Sequence, residues 1–473
     1  MANTDGFLAR ALESRWFYGL IAVVLVGLFV VSQLRPADFD GRPYGEIEDL
    51  STLAERDDLN VLFILIDTMR ADRMGLYGYE RDVSPHLDRL ASTGIRFSQH
   101  QSQSSWTKAS MASMWTGLNP ARTGISRYMH SLPESAELPS ETLKDAGFVT
   151  IGLWRNGWVA PNFGFDQGFD AYSRPVPVGL PGKLRREHPA ATISGSDANL
   201  VESAIEFLRT VDPNDRWFLY LHTMDVHQYV SDETSAIFGT TYSDFYDNAI
   251  HWTDRNLGRL LRELGERGML ERTLVVVTSD HGEAFKEHGR EGHARDLYGE
   301  VTEIPLLVSL PFKLKEGLEV AAPTSNIDVW PTLFDLIGIE GPADADGRSL
   351  VSLIEQSARG EVPPPGPPQF AQLDRGWGRP EQDSEPIFSV TENGYRAHLD
   401  PKGALELYDL ERDPREQEDI SETNPELGAV LRSRIEEYEA SSQIPWVADE
   451  VELDGLMLHQ LKALGYHLSL IHI

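Results

Sequence analysis

Two short runs deliver acidic and imidazole side chains at points where an apolar stretch stops. In the first, VLFILI from Val61 to Ile66 ends at Asp67; in the second, VVVTSDHG, Val275 to Val277 lead through Thr278 and Ser279 to Asp280 and His281. An Asp or a His just after an apolar run is often no more than a turn residue. Two carboxylates and an imidazole together are more specific. They form a hard-to-borderline ligand set for a divalent cation, whereas a calcium site is more often all oxygen.

For that chemistry both runs must be strands that finish at the same edge of a sheet. The continuous run Val61–Ile66 fits a central strand covered on both faces, as in a parallel sheet, and the crevice beyond such strand ends is where open α/β sheets place ligands. Ser84-Pro85 followed by HLDRLASTG predicts a helix, with an N-cap, a proline at its first position and a closing glycine. The alternation continues through strands Phe148–Leu153, Trp217–His222 and Thr273–Thr278 and helices from about Asp197 to Arg209 and about Asp247 to Arg267. The predicted fold is α/β, a central, mostly parallel sheet flanked by helices.

After Leu350 the character changes. Pro363-Pro364-Pro365-Gly366-Pro367-Pro368 forms neither helix nor central strand and predicts a long connection over 351–385. Beyond it, Asn393-Gly394 between strand-like runs signals a hairpin, and a helix from about Pro425 to Ala440 follows. This predicts a small C-terminal α+β subdomain over 386–473, whose last residues, HLSLIHI, continue no pattern.

The 42 basic and 74 acidic residues leave a net charge of −32, which excludes nucleic acid as a partner because that binding rests on neutralising phosphates with cations. An anionic substrate must be drawn in by local charge. Cysteine is absent, so disulfides, thiolate metal sites and cysteine nucleophiles are excluded. The run Trp16–Leu34 is almost wholly apolar for about 19 residues, enough at about 1.5 Å each to cross a bilayer core of roughly 30 Å. It ends in Ser-Gln-Leu-Arg rather than in small residues, so an uncleaved transmembrane anchor over 16–34 is predicted, with a cytoplasmic segment over 1–15. A polar, acidic linker over 35–58 then leads to a catalytic domain over 59–350.

LNVLFILIDTMRADRMGLYGYERDVSPHLDRLASTGIRF resembles the opening of a sulfatase-type domain. SSWTKASMASMWTGLNPARTG, NFGFDQGFD, FLYLHTMDVHQY, SDHGEAFKEHG through GHARDLYGEVTEIPLLV, LELYDLERDP and LKALGY follow in that family's order. The resemblance, to the sulfatase family of the alkaline phosphatase superfamily, covers nearly the whole chain beyond the anchor. It implies a metal-held hydroxyl nucleophile at a helix start. Counting back from Thr116-Gly117 places the nucleophile at Thr107, where formylglycine, which needs Cys or Ser, cannot form. The segment therefore resembles the threonine-using branch, which includes phosphoethanolamine and phosphoglycerol transferases and some phosphodiesterases.

The resemblance implies one divalent metal held by Asp67, Thr107, Asp280 and His281. Thr68 stands where the family has a second acid, which moves the expectation from calcium towards manganese, zinc or magnesium. It also implies substrate contacts from His227, Arg155, His293, His288 and Lys108. The expected activity is hydrolysis or transfer of a phosphate or sulfate ester through a covalent Thr107 intermediate, outside the cytoplasm, on an anionic substrate carried by a lipid or a glycan. Two alternatives stand beside it: a sulfuric ester hydrolase using unmodified threonine, and a non-catalytic, sulfatase-like surface binding protein.

Overall fold

All seven residues of Asn60–Ile66 (β1) are buried, as a strand covered on both faces requires. The computed structural model describes residue 18 and residues 40–175, 195–232, 234–376, 383–441 and 443–452. The predicted anchor lies outside these apart from Tyr18, and among the described residues no helix is long and apolar enough to cross a membrane. The described residues from Arg42 onward form one compact unit.

In chain order that unit continues with α1 (Pro85–Ala91), β2 (Ile95–Phe97), α2 (Thr107–Thr116), β3 (Val149–Trp154), β4 (Ala171–Ser173), α3 (Asp197–Thr210), β5 (Trp217–Thr223), α4 (Tyr242–Glu266), β6 (Thr273–Thr278), β7 (Leu306–Ser309), β8 (Leu318–Val320) and α5 (Val329–Ile337). The main sheet has eight strands in the order β8-β2-β7-β6-β1-β5-β3-β4. It is mixed: β7 runs antiparallel to both β2 and β6, and the other neighbours are parallel. Helix α4 begins at Tyr242, earlier than the apolar pattern indicates, because the Thr241 hydroxyl accepts from Asp244 N and starts the helix there.

Helix α2 is buried at every one of its ten positions, so it is held by packing on all sides rather than on one stripe. Its Trp115 meets Tyr220 of β5 edge-on at 4.9 Å and stacks on Trp330 of α5 at 5.2 Å; Trp330 in turn stacks on Phe63 of β1 at 5.1 Å. Each such ring pair adds about 0.5–1.5 kcal/mol beyond its burial. The cluster thus locks helix α2 to the centre of the sheet.

Two stretches expected as connections hold ordered structure. Within the expected linker over 35–58, the stretch from Arg42 onward belongs to the folded unit: Leu50 and Leu53 join the core, and the buried Arg42 guanidinium donates to Ser309 Oγ and the Leu310 carbonyl. Its acidic composition hid two apolar anchors one helical turn apart. The connection over 351–385 contains a helix, α6 (Val351–Ala358), and a strand, β9 (Gln369–Asp374), which begins directly after the proline run. Strand β9 is the edge of a four-stranded antiparallel sheet with β10 (Pro386–Glu392), β11 (Tyr395–Leu399) and β12 (Leu405–Asp409). Asn393 and Gly394 take φ values of 52° and 81°, closing the β10–β11 hairpin as a two-residue turn requires. Helix α7 (Pro425–Ser441) packs Leu431, Ile435 and Tyr438 on this sheet.

Candidate metal and nucleophile centre

The register of the sheet makes the site. Leu65 of β1 pairs with Thr278 of β6 and with His222 of β5, so Asp67 and Asp280, each two residues past that rung, emerge at one edge. One oxygen from each carboxylate and one His281 ring nitrogen lie within 4.8 Å of one another, all fully buried. Asp280 Oδ1 accepts from His281 N at 3.0 Å and Thr68 N at 3.3 Å. Asp67 Oδ2 accepts from Asn156 Nδ2 at 2.5 Å, while its Oδ1 is buried and makes no hydrogen bond.

Burial, reinforced by the facing Asp280 carboxylate, pushes the Asp67 carboxyl well above its usual range. Two buried carboxylates this close repel each other unless a cation stands between them. The bare Asp67 oxygen and the mixed oxygen and nitrogen donors therefore fit the single divalent ion that the fold family implies. Thr68, at φ 60°, holds the turn that aims these groups; Tyr246 pins it by donating to the Thr68 carbonyl at 2.6 Å and accepting from Arg70 N at 2.9 Å.

Thr107 opens helix α2, where unsatisfied N–H groups and the helix dipole favour an anion. His281 Nδ1 lies 3.0 Å from the Gly282 carbonyl, so that nitrogen carries the proton and Nε2 turns its lone pair to Thr107 Oγ1 at 3.2 Å. Asn156 Nδ2 also reaches Thr107 Oγ1, at 3.2 Å, and so bridges that hydroxyl and the Asp67 carboxylate.

His293 and His227 stand beside this group, with ring centres 4.5 Å from His281 to His293 and 4.8 Å from His293 to His227. Burial and the neighbouring imidazoles push both well below the usual histidine range. His293 Nδ1 faces Glu283 Oε2 at 3.1 Å, and burial raises the Glu283 carboxyl to about 8. Near neutral pH the pair therefore keeps one proton within reach of the centre.

Three of the expected substrate contacts are engaged with partners inside the protein. Arg155 is committed to the buried carboxylates of Asp197, at 2.6 Å, and Asp225, and to the Gly195 carbonyl, because those two acids need a cation in the interior. Lys108 turns into a cage of Trp106, Trp158 and Phe163, where its ammonium donates to the carbonyls of Tyr128 and His130 at 2.5 and 2.7 Å. His288 bridges Glu300, at 2.7 Å, and the Glu416 carbonyl of the C-terminal sheet region, at 2.8 Å, and so belongs to that seam.

Asn156, His222 and Glu283 were missed from the sequence. Each left a signal: Asn156 follows a strand end as Asp67 does, His222 is a polar interruption in the buried WFLYLHT, and Glu283 is two residues past His281.

A family model described as Sulfatase matches residues 59–339, and one described as N-sulphoglucosamine sulphohydrolase, C-terminal, matches residues 287–441. N-acetylgalactosamine-6-sulfatase of Rattus norvegicus is 26% identical over 346 residues, which are 63% of this chain and 66% of that enzyme. In fold, the chain is similar to the phosphonate monoester hydrolase of Agrobacterium radiobacter, with a TM-score of 0.66, 19% identity and coverage of 81% of this chain and 96% of that one. A protein solved in complex with its substrate D-glucosamine-2-N,6-O-disulfate is also similar, with a TM-score of 0.62, 19% identity and coverage of 81% and 99%.

Proposed function

Because the chain belongs to the sulfatase family, we propose that it is an ester hydrolase or transferase acting on a phosphate or sulfate ester through a covalent intermediate on Thr107. The observation that carries this reading is the placement of Thr107 Oγ1, at a helix start and 3.2 Å from His281 Nε2 within the Asp67, Asp280 and His281 cluster. Those three residues and Thr107 would hold one divalent cation, for which manganese, zinc or magnesium suits the mixed donors. Such a cation, when bound, lowers the pKa of the hydroxyl and neutralises charge on the ester oxygens.

The chain's own side chains account for the rest. Thr107 Oγ, having lost its proton to solvent once its pKa is lowered, attacks phosphorus or sulfur, the bond to the alcohol oxygen breaks, and that oxygen takes a proton from the His293 and Glu283 pair. Water or an acceptor alcohol then releases the group from Thr107. His227 lies beside His293 and would contact the same ester group. The printed names of the relatives, sulfated and phosphonate esters among them, support an anionic ester as the substrate class. A sugar or lipid carrier belongs to the same proposal.

The test is turnover of phosphomonoester, phosphodiester, phosphonate and sulfate esters by the full chain with each metal in turn. Thr107→Ala should lose nearly all turnover while losing only about 1–3 kcal/mol of stability, the cost of leaving the buried partners of its hydroxyl unpaired. Thr107→Ser should keep part of it, and acid quenching during turnover should leave a phosphoryl or sulfuryl group on the Thr107 peptide. An alanine variant as active as the parent would remove the nucleophile.

The extracytoplasmic placement is a further proposal, motivated by the apolar run Trp16–Leu34. Protease added to intact cells should degrade the catalytic unit and spare the N-terminal segment. Protection of the catalytic unit would reverse the orientation.

A further inference from the structure

Strand β5 carries a polar pair that the reaction above does not use. Tyr220 and His222 lie two residues apart on one strand, hence on the same face of the sheet, and both are fully buried. The Tyr220 hydroxyl is 2.6 Å from His222 Nδ1, and His222 Nε2 is 3.0 Å from Asp67 Oδ2. Asn156 Nδ2 already donates to that same oxygen at 2.5 Å. Asp67 Oδ2 thus has two partners while Oδ1 has no hydrogen bond.

The proton positions follow from this arrangement. A carboxylate oxygen only accepts, so Nε2 carries the hydrogen it shares with Asp67, Nδ1 is left with a lone pair, and the Tyr220 hydroxyl donates to it. Ring contacts hold the tyrosine in place, at 4.9 Å to Trp115 and 6.1 Å to Phe63. The chain from Tyr220 through His222 to Asp67 is therefore fixed in one direction.

We propose that His222, oriented by Tyr220, is a positioning residue that occupies Asp67 Oδ2 and so dedicates Oδ1 to a divalent cation. Asp67 would offer the ion Oδ1, because binding through Oδ2 as well would displace a hydrogen bond from Asn156 or His222. Partners behind a metal ligand typically change affinity by about 10–100-fold when removed. The inference rests on the reading of Asp67 as a ligand, and the experiment separates the two.

The measurement is Mn²⁺ affinity of the metal-stripped full chain, read from the electron paramagnetic resonance signal of free Mn²⁺, with urea midpoints of the metal-free proteins alongside. His222→Leu should bind roughly 10–100-fold more weakly. His222→Gln, whose amide can donate to Oδ2, should recover most of that loss, and Tyr220→Phe should fall between parent and His222→Leu. If His222→Leu does not fold, Tyr220→Phe carries the test, since it deletes one oxygen and keeps the ring packing. A parent that binds Mn²⁺ with variants of equal affinity overturns the positioning role alone. A parent that binds no Mn²⁺ overturns the ligand reading and this inference with it.

Discussion

Charged side chains in this protein act according to what surrounds them, and Arg155 is the clearest case. Its guanidinium compensates two buried acids, Asp197 and Asp225, of which Asp225 is raised to about 6, by burial first and by Asp197 second. Replacing it by methionine strands both carboxylates, so Arg155→Met should cost about 3–5 kcal/mol, seen as a lower urea midpoint. A raised KM with an unchanged midpoint would instead return Arg155 to the substrate. Asp67, Asp280 and His281 were legible in the sequence because each follows an apolar run. Asn156 and His222 were not, because a hydrogen-bonding role depends on which oxygen lies opposite, and that is set by strand register. The surroundings of Lys108 were hidden for a related reason: its neighbour Thr107 faces the centre, while the turn of the helix sends Lys108 into an aromatic cage.

At the scale of elements, the buried strands were readable from continuous apolar runs, and β6 matches its predicted bounds residue for residue. What composition concealed were segments whose anchors are few. Leu50 and Leu53 bury a stretch that is otherwise polar, and β9 starts where a proline run stops. The antiparallel β7 was also hidden, since its LLVS reads the same in either direction. Helix α2 depends on Trp115 for its seat against β1 and β5. Trp115→Ala should lose about 3–5 kcal/mol, and the thermal midpoint should fall accordingly. A midpoint within a degree or so of the parent would mean that Trp330 and Tyr220 close the gap unaided.

For the whole molecule, the seam between the main sheet and the C-terminal sheet is a network of titrating groups. Glu416 sits at its centre, accepting from Arg396, His398 and Gly299 N; burial opposes its charge, yet Arg396 and His398 hold its carboxyl down to about 2. A depressed carboxyl adds stability that is complete above its ordinary value of 4.5 and is lost as pH falls through about 2. Burial also opposes charge on His288, but Glu300 and Glu416 raise it to about 9, so its contribution is complete below 6.5 and is lost as pH rises through about 9. Hydrogen exchange over 286–299 and 395–418, corrected for intrinsic rates, should therefore quicken relative to β1 between about pH 6 and about pH 10. Equal protection at both values would show that the seam is held by its apolar contacts alone.

The same seam bears on how the protein is made. Thr107, Asp280, His281 and His293 all leave the ribosome well before Glu416, yet the turn after His293 is tied down by Glu416 through Gly299 N and by Glu406 through the Tyr298 hydroxyl. A chain still in synthesis can carry all four residues and yet hold the His293 segment through Glu283 and Ser105 without these two ties. Catalytic competence would then arrive late in translation, when the C-terminal sheet closes over a site already spelled out upstream.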